Sequence, residues 1–224
     1  MNSNSTDLGA VALTESIESR IRIPKAELFG RDRELDDLGR FLRQKGARRK
    51  GVVVWGLSGY GKTQLVLHYI HEFRTLYSSL LWIDASSKDS LERSFEEIAV
   101  QLLRLDPRQT MLSDSSTPDN RLNVAIDNVM RWLSQDINKS WLMVFDSVDS
   151  VEELDIRRYI PECEHGSLII TTTLSDLCSP LKLEGIELEG VDEHAGSEIL
   201  LKSLENVLPS QSGMCFLCAV FDTS

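Results

Sequence analysis

Apolar residues along this chain are arranged in two alternating ways. Compact apolar runs read as strands: Val52-Val53-Val54-Trp55, Ser79-Leu80-Leu81-Trp82-Ile83-Asp84, Trp141-Leu142-Met143-Val144-Phe145-Asp146, Ser167-Leu168-Ile169-Ile170-Thr171-Thr172-Thr173 and the short Gly185-Ile186-Glu187-Leu188. Between them apolar residues recur every three or four positions, first as Leu35, Leu38, Phe41 and Leu42, then as Leu65, Val66, Tyr69, Ile70, Phe73 and Leu76. The same spacing returns in Leu91, Phe95, Ile98, Ala99, Leu102 and Leu103, and again in Leu122, Ala125, Ile126, Val129, Met130 and Leu133. It puts each set on one face of a helix. A strand that is apolar throughout, as Trp141 to Phe145 is, belongs at the centre of a parallel sheet. The pattern predicts an α/β fold.

The ends of the pattern suggest the organisation. Asp32 is placed to cap the first helix, and Asp192 to cap a last one through Ala195, Ile199, Leu200 and Leu204. Residues 1–27 mix Ser, Asn, Thr and Glu with scattered aliphatics, so they read as a polar tail or linker with a weak helix at 10–20. Asp106 to Asn120, rich in Ser, Asp and Pro, reads as a loop. The periodicity holds across 28–205 and fails in 206–224, an atypical tail whose apolar burst from Met214 to Phe221 is too short to span a bilayer. No internal repeat is present.

Between the first strand and the second helical stripe lies Gly56-Leu57-Ser58-Gly59-Tyr60-Gly61-Lys62-Thr63, which fits the phosphate-loop pattern G-x-x-x-x-G-K-[ST]. Its glycines let the backbone curl so that successive N–H groups face inward, Lys62 adds a mobile positive charge, and Thr63 adds a hydroxyl able to ligate Mg²⁺. Average residue usage yields the bare pattern in a chain of this length with a probability on the order of 1%, before its strand-to-helix context is counted. A bound Mg-nucleotide also needs a carboxylate beside the loop hydroxyl, and Asp146, ending its strand, can serve. ATPases of this kind usually place a second acid immediately afterwards. Here that position is Ser147, which leaves Asp149 as the weak candidate for a catalytic acid and argues against fast turnover.

With 224 residues, 42% of them hydrophobic, the chain has material for one main core with appendages. A net charge of −11 opposes general affinity for DNA, RNA or anionic membrane, and the N-terminus lacks a signal-peptide pattern. The four cysteines, Cys163, Cys178, Cys215 and Cys218, do not form a disulfide or zinc framework, so they read as buried thiols and point to a reducing, cytoplasmic location. Arg40, Arg43, Lys45, Arg48, Arg49 and Lys50 form a basic cluster in this acidic chain. It reads first as a solvated face at a helix C-terminus, with an acidic partner or nucleic acid as the alternative.

The ordered motifs together are more specific than the loop. Phe29-Gly30-Arg31-Asp32, GLSGYGKT, LLWIDAS at Leu80 to Ser86, WLMVFDSVD at Trp141 to Asp149 and GSLIITTT at Gly166 to Thr173 resemble the NB-ARC nucleotide-binding domain of STAND-class signalling NTPases, in the style of fungal NOD-like receptors. The resemblance covers about 28–204 and implies a P-loop NTPase fold, a three-layer αβα sandwich on a five-stranded, mainly parallel sheet. In ASCE order, the strand at 167–173 would lie between those at 52–55 and 141–145. It further implies Gly30 and Arg31 beside an adenine, the backbone from Gly56 to Gln64 (Gly56, Leu57, Ser58, Gly59, Tyr60, Gly61, Lys62, Thr63, Gln64) around the phosphates, Lys62 at the β and γ positions, Thr63 and Asp146 on Mg²⁺, and Thr172 and Thr173 as a sensor. Where the family's sensor ends in arginine, this chain has Leu174. The family continues into a helical domain and a winged helix that would lie beyond Glu205, so the expectation is a switch truncated after its nucleotide-binding part.

The function expected is therefore an ADP- or ATP-binding module holding Mg-nucleotide with slow or no hydrolysis, able to self-associate or to bind full-length relatives, with no specific nucleic-acid or membrane partner. Two rivals stay open, an active ATPase and a non-catalytic interaction fragment. A GTPase is disfavoured, because Asn138-Lys139-Ser140-Trp141 lacks the acid that would grip a guanine.

Overall fold

A computed structural model describes residues 30–44, 49–105, 118–150, 155–191, 195–199 and 201. Five strands, β1 (Lys50–Trp55), β2 (Ser79–Asp84), β3 (Trp141–Asp146), β4 (Ser167–Thr172) and β5 (Glu184–Glu187), form one sheet in the order β2-β3-β4-β1-β5. Every pairing is parallel, and β4 lies between β1 and β3 as expected. Helix α1 (Asp32–Arg43) precedes β1, α2 (Lys62–Phe73) joins β1 to β2, α3 (Lys88–Leu105) and α4 (Pro118–Leu133) lie between β2 and β3, and a short α5 (Cys178–Leu181) precedes β5.

Alternation along the strands sorts the core into two layers. Val52, Val54, Leu142, Val144, Ile169 and Ile186 pack against Leu38 and Leu42 of α1 and Leu65, Val66, Tyr69 and Ile70 of α2. On the other face Val53, Leu81, Ile83, Met143, Phe145, Leu168 and Ile170 meet Leu91, Phe95, Ile98 and Leu102 of α3 and Val129 and Leu133 of α4. Each such aliphatic side chain contributes about 1.5–3 kcal/mol by leaving water. That is why the strands are apolar throughout and the helices only on one stripe.

Register carries this layering into the strand ends. Val54 pairs with Thr171 and Phe145 with Ile170, so the next step puts Asp146 beside Thr171 on the face covered by α2. Thr172 points to the opposite face and is fully buried.

Several details differ from expectation. Arg31, not Asp32, occupies the cap position of α1, because its carbonyl accepts the first helical bond from Leu35 N at 2.9 Å. Asp32 instead joins Glu34 as an acid in the first turn, where the helix dipole favours negative charge. Leu76 leaves the α2 stripe, lying half-exposed in a 3-10 turn, Arg74–Leu76. β5 runs one residue earlier than its apolar pattern implied, although Leu188 N still donates to Trp55 O at 2.7 Å. The helix begins at Pro118, inside the segment expected to be a loop. The weak helix at 10–20, the Asp192 cap, Leu200, Leu204 and the burst from Met214 to Phe221 lie outside the described residues.

The chain divides into two compact units, Met1–Glu189 and Gly190–Ser224. In the second, residues 195–199 are helical. Among the described residues no helix is long and apolar enough to cross a membrane.

Candidate functional site

At the carboxyl ends of the strands, β1 runs into a loop that opens onto α2. The chain leaves the sheet at Gly56 (φ 153°), where Leu188 follows β5 so closely that a Cβ would strike its carbonyl oxygen. Only glycine fits there. Gly59 and Gly61 have φ of 84° and 88°, and Gly61, in the left-handed region, starts α2 with no side-chain cap. Nor is there an acid in the first turn of α2. The initial N–H groups of a helix have no carbonyl within it to bond, so this uncapped end presents donors and the positive end of the dipole to the loop.

Lys62 Nζ curls back over the loop and donates to Gly56 O at 2.8 Å and Leu57 O at 2.9 Å. Thr63 Oγ1, on the same first turn, donates to Asp146 Oδ1 at 2.9 Å across 83 residues of sequence. The loop and the strand-ending acid, proposed from separate stretches, thus meet through side chains. Leu57, Ser58, Gly59 and Gln64 are exposed, while Tyr60, Gly61, Lys62 and Thr63 are half-buried.

A third element joins them. Thr171 Oγ1 donates to the same Asp146 Oδ1 at 2.6 Å and accepts from Ser147 N at 2.8 Å. Sequence reasoning singled out Thr172 and Thr173 instead. Thr172 Oγ1 donates to Val148 O at 2.6 Å on the buried opposite face, and Thr173 donates to Asp149 Oδ1 through both its N–H, at 2.6 Å, and its hydroxyl, at 2.9 Å. Asp149 therefore ties the end of β4 to the segment after β3. The signal for Thr171 was strand alternation, which becomes readable only once the register is known.

Gly30 has φ 63° and is exposed, but Arg31 is 5% exposed and turned inward. Its guanidinium pairs with Glu34 at 2.8 Å and donates to Tyr60 O at 3.0 Å and Glu189 O at 2.5 Å. The side chain thus braces the phosphate loop against α1 and the segment after β5.

The basic cluster lies elsewhere. Arg43 and Lys50 line a cleft of about 510 Å³ at the amino ends of the strands, with Tyr77, Lys139, His165 and Ser167. Arg40 pairs with Asp37, and Arg49 donates to Pro161 O and Cys163 O, its pKa lowered chiefly by burial. Lys45 and Arg48 lie outside the described residues. Cys163 and Cys178 are free, half-buried thiols, and burial raises the pKa of Cys178; Cys215 and Cys218 lie outside the described residues.

Known proteins resemble this chain in sequence and in fold. A "Nucleotide-binding leucine-rich repeat (NLR)-like protein" of the fungus Hyaloscypha variabilis is 28% identical over 54% of this chain. The matched part is 13% of that relative, so this chain spans a small fraction of its length. Among solved structures, Cdc6p from Pyrobaculum aerophilum superposes with a TM-score of 0.55 at 13% identity, covering 84% of this chain and 52% of the other. That likeness shows the fold, an α/β fold on a parallel sheet. Residues 31–201 match the NB-ARC domain, and with most of its length so matched this chain belongs to the NB-ARC domain family.

Proposed function

We propose that this domain binds an adenine nucleotide, ADP or ATP, together with Mg²⁺, and holds it with slow or no hydrolysis. The observation that carries the reading is the meeting of Thr63 and Asp146 beside the uncapped start of α2. Phosphate oxygens would take N–H groups of the stretch from Gly56 to Gln64 other than those of Gly56, which donates to Thr172 O at 3.3 Å, and Tyr60, which donates to Leu57 O at 3.3 Å, and Lys62 would exchange its two loop carbonyls for the β and γ oxygens. Gly30 and the backbone at Arg31 would flank the adenine, because the Arg31 side chain is engaged inward.

The donor set fits magnesium. The Thr63 hydroxyl and the Asp146 carboxylate stand side by side, 2.9 Å apart, and both are hard oxygen donors of the kind magnesium takes. When bound, the ion supplies neutralisation of the phosphate charge. Thr63 and Asp146 would hold it, the acid directly or through water.

Slow turnover is supported by what surrounds the acid. Ser147 cannot act as a carboxylate base, and Asp149 Oδ1 accepts hydrogen bonds from Thr173 N and Thr173 Oγ1, which hold that carboxylate to the end of β4. Leu174 offers no cation to a γ-phosphate. In a longer chain such as the fungal relative, nucleotide state would be coupled to self-association in the cytoplasm.

Equilibrium titration with ADP, ATP and GDP, beside a phosphate-release assay, tests the reading. Adenine nucleotides bind in preference to GDP, and the release rate of wild type stays at the level of Lys62→Ala. Rapid release abolished by that substitution would establish an active ATPase instead. Partner binding that survives Lys62→Ala while nucleotide is lost would favour the interaction fragment.

A further inference from the structure

We infer that Thr171 is a positioning residue that aims Asp146 at the metal. The inference rests on the nucleotide reading above and adds to it a residue that neither the phosphate loop nor the two threonines expected as a sensor supply.

Thr171 is 1% exposed at the end of β4, and its side chain faces the α2 side of the sheet. Its hydroxyl is used twice, donating to Asp146 Oδ1 at 2.6 Å and accepting from Ser147 N at 2.8 Å. Ser147 has φ 66°, a left-handed conformation that a non-glycine residue adopts only when its surroundings hold it there. Thr171 therefore grips both the carboxylate and the backbone of the next residue. Its own carbonyl adds a third tie, accepting from Val148 N at 2.8 Å.

The consequence for Asp146 follows from counting donors. Oδ1 receives two hydroxyls from different elements, Thr63 on α2 and Thr171 on β4. Two donors on one oxygen set the rotation of the carboxylate about its terminal bond, and with it the direction of Oδ2. Remove the Thr171 hydroxyl and one donor remains, carried by the residue that must itself turn a lone pair toward the metal. Groups that orient a metal ligand by hydrogen bonding typically alter metal affinity by about 10–100-fold when lost.

This role separates from simple strand-end stability by its dependence on metal. Thr171→Val keeps the shape and β-branching while deleting the hydroxyl, and Thr171→Ser keeps the hydroxyl. ADP affinity is measured for wild type and both variants in Mg²⁺ and in excess EDTA, with thermal melting to confirm folding. The expected result for Thr171→Val is a loss of about 10-fold in Mg²⁺ with less than about twofold change in EDTA, while Thr171→Ser keeps most of the wild-type difference between the two conditions. Should Thr171→Val not fold, Thr171→Ala is read by the same comparison. Equal weakening in Mg²⁺ and EDTA, or none in either, would overturn the inference. A wild type that binds ADP equally well in both also overturns it, yet leaves nucleotide binding standing; a wild type that binds no nucleotide removes both.

Discussion

The two edges of the sheet carry polar groups in different ways. At the amino edge, the cleft of about 510 Å³ gathers Arg43, Lys50 and Lys139 together with His165 and Glu164. Much of that charge is held locally: Arg43 donates to Gly39 O one turn back and stacks on Phe73 at 4.5 Å, and Lys139 pairs with Asp136 three residues away. His165, bonded to Leu133 O at 2.8 Å, reaches farther in sequence but serves the same purpose of joining chain to chain. At the carboxyl edge, Thr63, Asp146 and Thr171 come from α2, β3 and β4, and their bonds span 83 and 25 residues. A cleft lined by basic residues is thus not by itself the mark of a site. What marks a site is oxygen and nitrogen atoms from separate elements aimed at one place, beside an uncapped helix start.

The comparison breaks if disturbing the amino edge impairs binding rather than folding. Gly166 at that edge has φ 84°, and an added Cβ would overlap the Trp141 ring. Gly166→Ala should therefore lower stability by about 3 kcal/mol, seen as a melting temperature roughly 6–12 °C lower, with ADP affinity unchanged where the protein remains folded. At the carboxyl edge, Lys62→Ala should leave melting nearly unaltered and reduce ADP affinity by about 100-fold, since a charge-assisted contact to phosphate is lost. If the two substitutions exchanged effects, the assignment of the edges would be reversed.

Smaller effects sharpen the same contrast. Tyr69 and Tyr77 share a 2.7 Å hydroxyl pair in the core beside the amino edge, and burial is the main cause raising both pKa values above the tyrosine norm. A raised folded-state pKa means the contribution to stability is intact below the unfolded value of about 10 and is lost as pH climbs beyond it. Alkaline titration at 295 nm should show their phenolates emerging only with unfolding, a step absent from the Tyr69→Phe/Tyr77→Phe double variant. The smallest effect belongs to Arg43→Gln with Lys50→Gln, which should change ADP affinity by less than about twofold, because screened charges at the far edge contribute little.

Much of this fold was legible because central parallel strands are apolar on both faces, so β1, β3 and β4 announce themselves without context. The phosphate loop was legible because its demands are local: glycines for positive φ, then Lys62 and Thr63 on the first turn of α2. What escaped depends on distant parts of the chain. Whether Thr171 or Thr172 meets Asp146 is a matter of register between β3 and β4, and a shift of one residue would exchange their faces. Arg31, expected beside an adenine, shows its inward role only when Tyr60 and Glu189 bring their carbonyls to it. Asp149, the weak candidate for a catalytic acid, likewise shows its tie to the end of β4 only once Thr173 is seen to bind its oxygen.

The central claim, that the carboxyl edge holds an adenine nucleotide, is tested most directly by purifying the protein beside Lys62→Ala, denaturing both, and identifying what is released by chromatography. The account predicts ADP or ATP from wild type, carried through purification or taken up on incubation with Mg²⁺, and little from the variant. Wild type that neither retains nor takes up an adenine nucleotide would contradict it.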